Sequence, residues 1–317
     1  MFQKISPVPV NYFAMVLGLS GLGLAWRYGA SAGLLPKLPG EVLQLASGLL
    51  WLYLLGAYIF KWVYHRPQAQ EEFFHTIQCC FISLIPIATL LVGMSLMPYI
   101  STLGWLLLLA GIVGQLAFAA YRSAGLWRGT HVAEATTPII YLPTVATNFV
   151  TASALGATGH TEFAMIFFGA GMLSWVGLEA VILQRLRTLS ALPAPLRPVI
   201  GIQLAPPFVG CSAYLAVTGG PVDSFALALI GYGILQGLFL LRLFPWVREG
   251  GFSPSFWAFS FGLSSMAGCG LRLAFQYAHR DVAVLGWAMF IVGTGCILLL
   301  LVKTIRLFYP LFRRATA

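Results

Sequence analysis

An all-α integral membrane protein is predicted by three features of the sequence. Hydrophobic residues fill 59% of the 317 positions and charged residues 9%, which leaves too little polar surface to cover a soluble domain. Apolar stretches of about 20 residues, the length a helix needs to cross a bilayer, recur from end to end. Every second stretch also carries a proline, or a residue standing in for it, at the same place, which marks a repeat.

The stretches give ten predicted transmembrane helices, at roughly 9–27, 41–63, 75–97, 101–121, 138–158, 162–183, 197–217, 223–244, 255–278 and 282–306. Charge and proline gather in the connections "RPQAQEEFF", "LWRGTHVAEATTP" and "RLRTLSALPAPLRP", which interrupt helices and stay in water. The joints at 98–101 and 159–161 are short enough for tight hairpins. One transmembrane domain over 1–317 is expected, built from five helical hairpins at about 1–65, 66–123, 124–187, 188–248 and 249–317.

Orientation follows from the cations. With the N-terminus inside, Lys4, Lys61, Arg66, Arg122, Arg128, Arg185, Arg187, Arg197, Arg242, Arg248, Lys303, Arg306, Arg313 and Arg314 fall on the cytoplasmic side, 14 of the 18 basic residues. Arg27, Lys37, Arg272 and Arg280 remain outside. The bias predicts that both termini are cytoplasmic and agrees with an even number of crossings. The net charge of +9 therefore reads as topology and contact with anionic membrane lipids. Nucleic acid is not an expected partner, because no basic stripe with interleaved aromatics stands outside the spans.

Enzymatic and metal chemistry find no foothold. Gly-rich phosphate loops ending in Lys-Ser or Lys-Thr, Gly-x-Ser-x-Gly elbows and His-Glu-x-x-His pairs are missing from the sequence. The nine acidic residues form no close pair deep in a span. Five histidines are scattered through loops, and the five cysteines lie in apolar spans without ligand spacing, so no metal or cofactor is expected. The cluster "GLSGLGLAW" at 18–26 reads as a small-residue face for close helix packing.

The repeat carries the functional signal. "PVPVNYFAMV", "LIPIATLLVG", "YLPTVATNFV", "LAPPFVGCSA" and "AFSFGLSSMA" place Pro9, Pro86, Pro143, Pro206 and Ser260 in register on the odd spans. Even spans lack the feature. A proline inside a span frees backbone groups that neighbours or water must satisfy. Five hairpins of one interrupted and one plain helix thus predict an inner ring of odd helices around a central pore, with even helices outside. Phe13 and Asn148 on odd spans join the five register positions as candidates for the lining. On pattern alone, a channel and a carrier both fit.

The motifs "YLPTVATNF", "FFGAGMLSW", "VIGIQLAP", "CSAYL", "GYGILQ", "LRLFPW" and "FWAFSFGLSSMA" resemble the TehA-type tellurite-resistance/dicarboxylate transporter family, which includes the plant guard-cell slow anion channels. The resemblance runs nearly end to end. It implies a homotrimer with a pore inside each subunit and conduction of small anions, and it implies that a phenylalanine of the ninth span, Phe261 here, occludes the pore. A ring at that position would block a narrow passage by volume and by dewetting it, with Gly262 as a hinge beside it. The family name also raises the alternative of an ion-coupled carrier or efflux protein for dicarboxylates, tellurite and other oxyanions, or lipophilic cations. Asn11 and Ala14 stand where relatives commonly have glycine.

Remaining polar residues carry smaller expectations. Thr144, Thr147 and Thr151 are weighed with Asn148 as lining or as back-bonded helix residues. Glu179 is expected to pair with Arg185 or Arg187, with a proton-coupling carboxylate as the alternative. Arg122, Arg242 and Arg272 are expected to reach toward head groups, with an Arg-lined vestibule that enriches anions at the mouth as the alternative, and helix ends after each interruption to favour anions.

Overall fold

The computed structural model describes residues 8–278 and 280–315. Lys4 and the side chains of Arg313 and Arg314, used above, lie outside the described residues, as does His279, one of the five histidines. Helices account for the architecture, and no strand occurs among the described residues.

In chain order the helices are α1 (Phe13–Ser31), α2 (Lys37–Tyr64), α3 (Arg66–Phe74) and α4 (Leu84–Leu96). Next come α5 (Ser101–Gly125), α6 (Thr147–Ala157), α7 (Thr161–Thr188) and α8 (Ala205–Thr218). The chain continues through α9 (Ser224–Val247), α10 (Ser260–Gln276) and α11 (Asp281–Ala315). Eight segments among the described residues are long and apolar enough to cross a membrane. α1 and α10 are not among them. Both are rich in glycine and serine, and each carries an arginine near its end.

Two kinds of helix alternate. α1, α4, α6, α8 and α10 each follow a tighter or looser turn of helix: 3-10 turns at Val10–Tyr12, Gln78–Ser83, Ala194–Leu204 and Pro254–Phe259, and a 3-10 turn at Pro138–Tyr141 followed by a π turn at Leu142–Ala146. The long helices α2, α5, α7, α9 and α11 start without such a lead-in. Burial follows the same alternation. The most apolar windows of 78–96, 138–157 and 194–218 are 78%, 78% and 83% buried, whereas those of α2, α5 and α7 are 22% buried and those around α9 and α11 33%. Leu45, Leu106, Leu173, Leu241 and Val284 on the long helices are exposed, as a surface covered by lipid chains requires.

Packing among the buried helices closes a circuit: α1 on α4, α4 on α6, α6 on α8, α8 on α10 and α10 back on α1. α2, α5, α7, α9 and α11 each pack on the buried helix that precedes them. Small residues allow the closest of these contacts, in agreement with the reading of "GLSGLGLAW". A Cβ added at Gly18 would lie 2.5 Å from the Ser260 Cβ, so only glycine lets α1 approach α10 this closely.

The connection "RPQAQEEFF" is α3 rather than an irregular loop. Its proline sits in the first turn, where a missing N–H costs nothing. Glu72 then points inward to take Lys61 Nζ at 2.8 Å and the Val10 N–H at 3.1 Å. That buried pair ties α2, α3 and the start of the first helix together.

Candidate functional site

The five buried helices present stripes to one axis. On α10, Phe261, Ser264, Ser265, Gly268 and Arg272 line cavities, and their spacing of three, four, seven and eleven residues from Phe261 puts them on one helix face. Ala14, Leu17, Gly21, Leu24 and Tyr28 do the same on α1. Pro206, Val209, Ser212 and Ala216 do so on α8.

Two cavities lie along this axis. The larger, about 220 Å³, is walled by the C-terminal halves of the buried helices and includes Ser153, Ser212, Ser264, Ser265 and Arg272. The smaller, about 40 Å³, lies among Leu17, Leu84, Phe149, Ile202 and Trp257; it has room for about one water. Phe261 and Val209 line both. The Phe261 side chain, buried to 9% exposure, therefore forms part of the partition between them.

The backbone carrying this ring is fixed on three sides. Ser260 Oγ lies 2.7 Å from the Trp257 carbonyl oxygen and 3.1 Å from that of Ala14, joining α10 to α1. Ser264 Oγ donates to the Phe261 carbonyl at 3.0 Å. Gly262 packs on the start of α8, where a Cβ would come within 2.8 Å of Leu204 Cβ and 3.0 Å of the Ala205 nitrogen. Glycine serves close approach at this point.

Of the other expected site residues, Ser260 and Pro206 line the smaller cavity. Pro9, Pro86, Pro143, Phe13 and Asn148 line neither. Pro9 is exposed ahead of the first 3-10 turn, Pro86 sits in the first turns of α4, and Pro143 lies in the π turn before α6. The prolines thus mark places where one helix type passes into another, near helix starts where a missing N–H is cheapest. Phe13 is buried at 1% exposure in the packing around α1. Asn148 Nδ2 donates to the Thr144 carbonyl at 2.5 Å and Thr147 Oγ1 to that of Pro143 at 2.9 Å, so both fold back on their own helix. The Asn11 Oδ1 is buried without a partner, and Ala14 lines the smaller cavity.

Three expectations change. Glu179 pairs with neither Arg185 nor Arg187; it accepts from Trp175 Nε1 at 2.9 Å, Tyr232 OH at 2.5 Å, Gln236 Nε2 at 3.3 Å and the Tyr141 hydroxyl. Trp175 lies one turn before it on α7, and Tyr232 and Gln236 are one turn apart on α9, so a single face of each helix supplies the donors. The starts of the buried helices are also not free N-termini. The Leu84, Ala205 and Ser260 N–H groups are taken by carbonyls of the preceding 3-10 turns, which leaves less positive dipole to attract an anion. Arg272, finally, turns into the larger cavity with its guanidinium 4.4 Å from the Tyr28 ring centre, because it shares the stripe of Phe261.

Sequence reasoning missed Val209 and Ser265, and it gave an inward Arg272 only as the alternative to contact with head groups. The signal for Ser265 and Arg272 was the face periodicity of α10 carried past Phe261, and for Val209 that of α8 carried one turn past Pro206.

Buried helices that enclose cavities, wrapped by helices with exposed apolar faces, define a multi-pass membrane protein. The chain belongs to the voltage-dependent anion channel (SLAC1) family, whose match covers residues 7–305, and this places it among anion-transport proteins. It is similar to the tellurite resistance protein TehA homolog of Haemophilus influenzae, 38% identical over 298 residues, with 94% of this chain and 90% of that protein covered. The S-type anion channel SLAH3 of Arabidopsis thaliana is 27% identical, with 94% of this chain and 48% of that protein covered. The guard cell S-type anion channel SLAC1 of the same plant is 21% identical, with coverage of 94% and 55%. The chain thus spans about half the length of these two plant relatives.

Proposed function

We propose that the chain is a gated anion channel whose path runs through the axis of each subunit and is stoppered by Phe261. One observation carries this reading: Phe261 stands in the wall of both cavities on that axis. In this reading the helices form five hairpins with ten crossings, α1 and α10 completing the inner ring despite their lower hydropathy. A polar lining is what dilutes that hydropathy, as expected of helices that face water rather than lipid. The ring blocks by volume and by keeping the narrow apolar side dry.

Neither cavity lining contains a carboxylate, which favours anions over cations and leaves no lining acid to couple transport to protons. That observation sets the channel above the alternative of a coupled carrier. The proposal includes a bacterial inner-membrane location with both termini cytoplasmic, from the cation bias, and assembly as a homotrimer, from the family resemblance.

Purified parent and Phe261→Ala protein compared in planar bilayers under a potassium chloride gradient test the reading. The variant is expected to carry current that reverses near the chloride potential and ignores a proton gradient. A reversal near the potassium potential, or current that requires the proton gradient, would overturn it.

A further inference from the structure

Two of the large side chains that line the smaller cavity, Tyr141 and Trp257, end in a polar atom. Both are 1% exposed, so each tip needs a partner inside the protein. Each residue stands three positions after the proline that opens a 3-10 turn, Pro138–Tyr141 in one case and Pro254–Phe259 in the other. Both tips point off the axis and into a long outer helix. The Tyr141 hydroxyl donates to Glu179 on α7, and Trp257 Nε1 donates to Thr304 Oγ1 on α11 at 2.8 Å. Neither cavity lining includes a residue of α7 or α11.

The two acceptors are themselves held in place. Glu179 also takes Trp175 from its own helix and Tyr232 and Gln236 from α9, so its carboxylate is fixed from several sides. Thr304, 8% exposed, donates its own proton to the Leu300 carbonyl one turn back at 2.8 Å, which leaves an oxygen lone pair for the indole N–H. Each ring is therefore gripped by its outer end while its body forms cavity wall. The cavity it borders is about 40 Å³, room for about one water. A small shift of either ring would take up much of that space. An indole N–H that loses its acceptor in a dry site is costly to leave unmade, and a phenyl ring without the hydroxyl has nothing to hold its outer end.

We propose that Glu179 and Thr304 are positioning residues for conduction: from the outer helices they hold the Tyr141 and Trp257 rings back against the wall of the smaller cavity and keep it from closing. The inference rests on the reading of this cavity as part of the anion path. It gives the outer helices a part in shaping a passage that they do not line.

Single-channel currents in planar bilayers, recorded in a Phe261→Ala background, test the inference, because unitary current does not depend on how much protein inserts. Thr304→Val keeps the branched shape and removes the acceptor, and unitary current should fall several-fold. Thr304→Ser keeps the hydroxyl and gives up a methyl group, and it should conduct as the background does; a role in packing alone would give the reverse order. Tyr141→Phe keeps the ring and removes its bond to Glu179, with a several-fold fall expected. Tyr214→Phe removes a hydroxyl bond to Asp223 away from both cavities and should leave unitary current unchanged. Should Thr304→Val fail to fold, Tyr141→Phe still decides. Unchanged unitary current in Thr304→Val or Tyr141→Phe, or a Thr304→Ser current as low as that of Thr304→Val, would overturn the inference and leave the channel reading standing. A Phe261→Ala background that carries no current would overturn the channel reading, and this inference with it.

Discussion

The cavities on the two sides of Phe261 are lined by the same five helices and share almost nothing else. One is about 40 Å³, apolar and walled by Leu17, Leu84, Ile202 and Trp257; the other is about 220 Å³ and carries four serines and an arginine. The small side is built from helix starts, where 3-10 and π turns bring bulky residues to the axis. The large side is built from the regular α-helical segments, where Gly268 leaves room. Helix type therefore sets the width of each cavity. The Phe261 ring stands between the two, and on the proposed path an ion there would meet both low volume and low polarity.

Breaking the scaffold of the narrow side should give the largest loss of stability. Glu72→Gln leaves the Lys61 ammonium buried without its counter-charge, and a cost of about 3 kcal/mol is expected in denaturant or thermal unfolding. A neutral result would show that the tie between α2, α3 and the first helix does not hold that end together.

Two glycines six residues apart sharpen the comparison. Gly262→Ala forces a Cβ against the Leu204 and Ala205 backbone and should cost about 1–3 kcal/mol. Gly268→Val adds bulk where a Cβ meets only Ala25 at 3.6 Å, so unfolding should be little changed while current through a Phe261→Ala background falls several-fold. The same stability loss at both sites would show that the two halves are packed alike.

The smallest effect lies at the rim. Asp223 caps α9 by accepting the Ala226 N–H at 2.9 Å, and that bond, helped by the Tyr214 hydroxyl, holds its carboxyl below the ordinary aspartate range. A depressed pKa means that the stabilisation is complete above the unfolded-state value and is lost as pH falls through the folded one. Asp223→Asn should keep the cap and remove this acid-range slope in unfolding titrations, and an unchanged slope would assign it to another group.

Much of the architecture was legible because the bilayer imposes long apolar helices and because the odd helices repeat a visible mark. The meaning of the mark was only partly legible. Pro206 and Ser260 align in sequence, yet the two residues that wall both cavities are Val209, three positions after the proline, and Phe261, one position after the serine. Proline records where helix type changes, and the lead-ins differ in length, from three residues at Val10–Tyr12 to eleven at Ala194–Leu204. The lining register therefore shifts between helices while the proline register holds. Asn148 and Phe13 were chosen by residue type and span, and neither faces a cavity. Glu179 found its donors on α9 and ahead of α6, contacts that no local spacing encodes.

The most direct test of the central claim is a volume series at position 261, read as current through purified protein in planar bilayers at matched insertion. With one side chain as the partition, current should rise in the order Phe261→Leu, Phe261→Val, Phe261→Ala and Phe261→Gly, reaching about an order of magnitude or more above the parent, while Phe261→Trp stays closed. A series that stays flat, or a Trp variant that conducts as well as the Ala variant, would contradict the account.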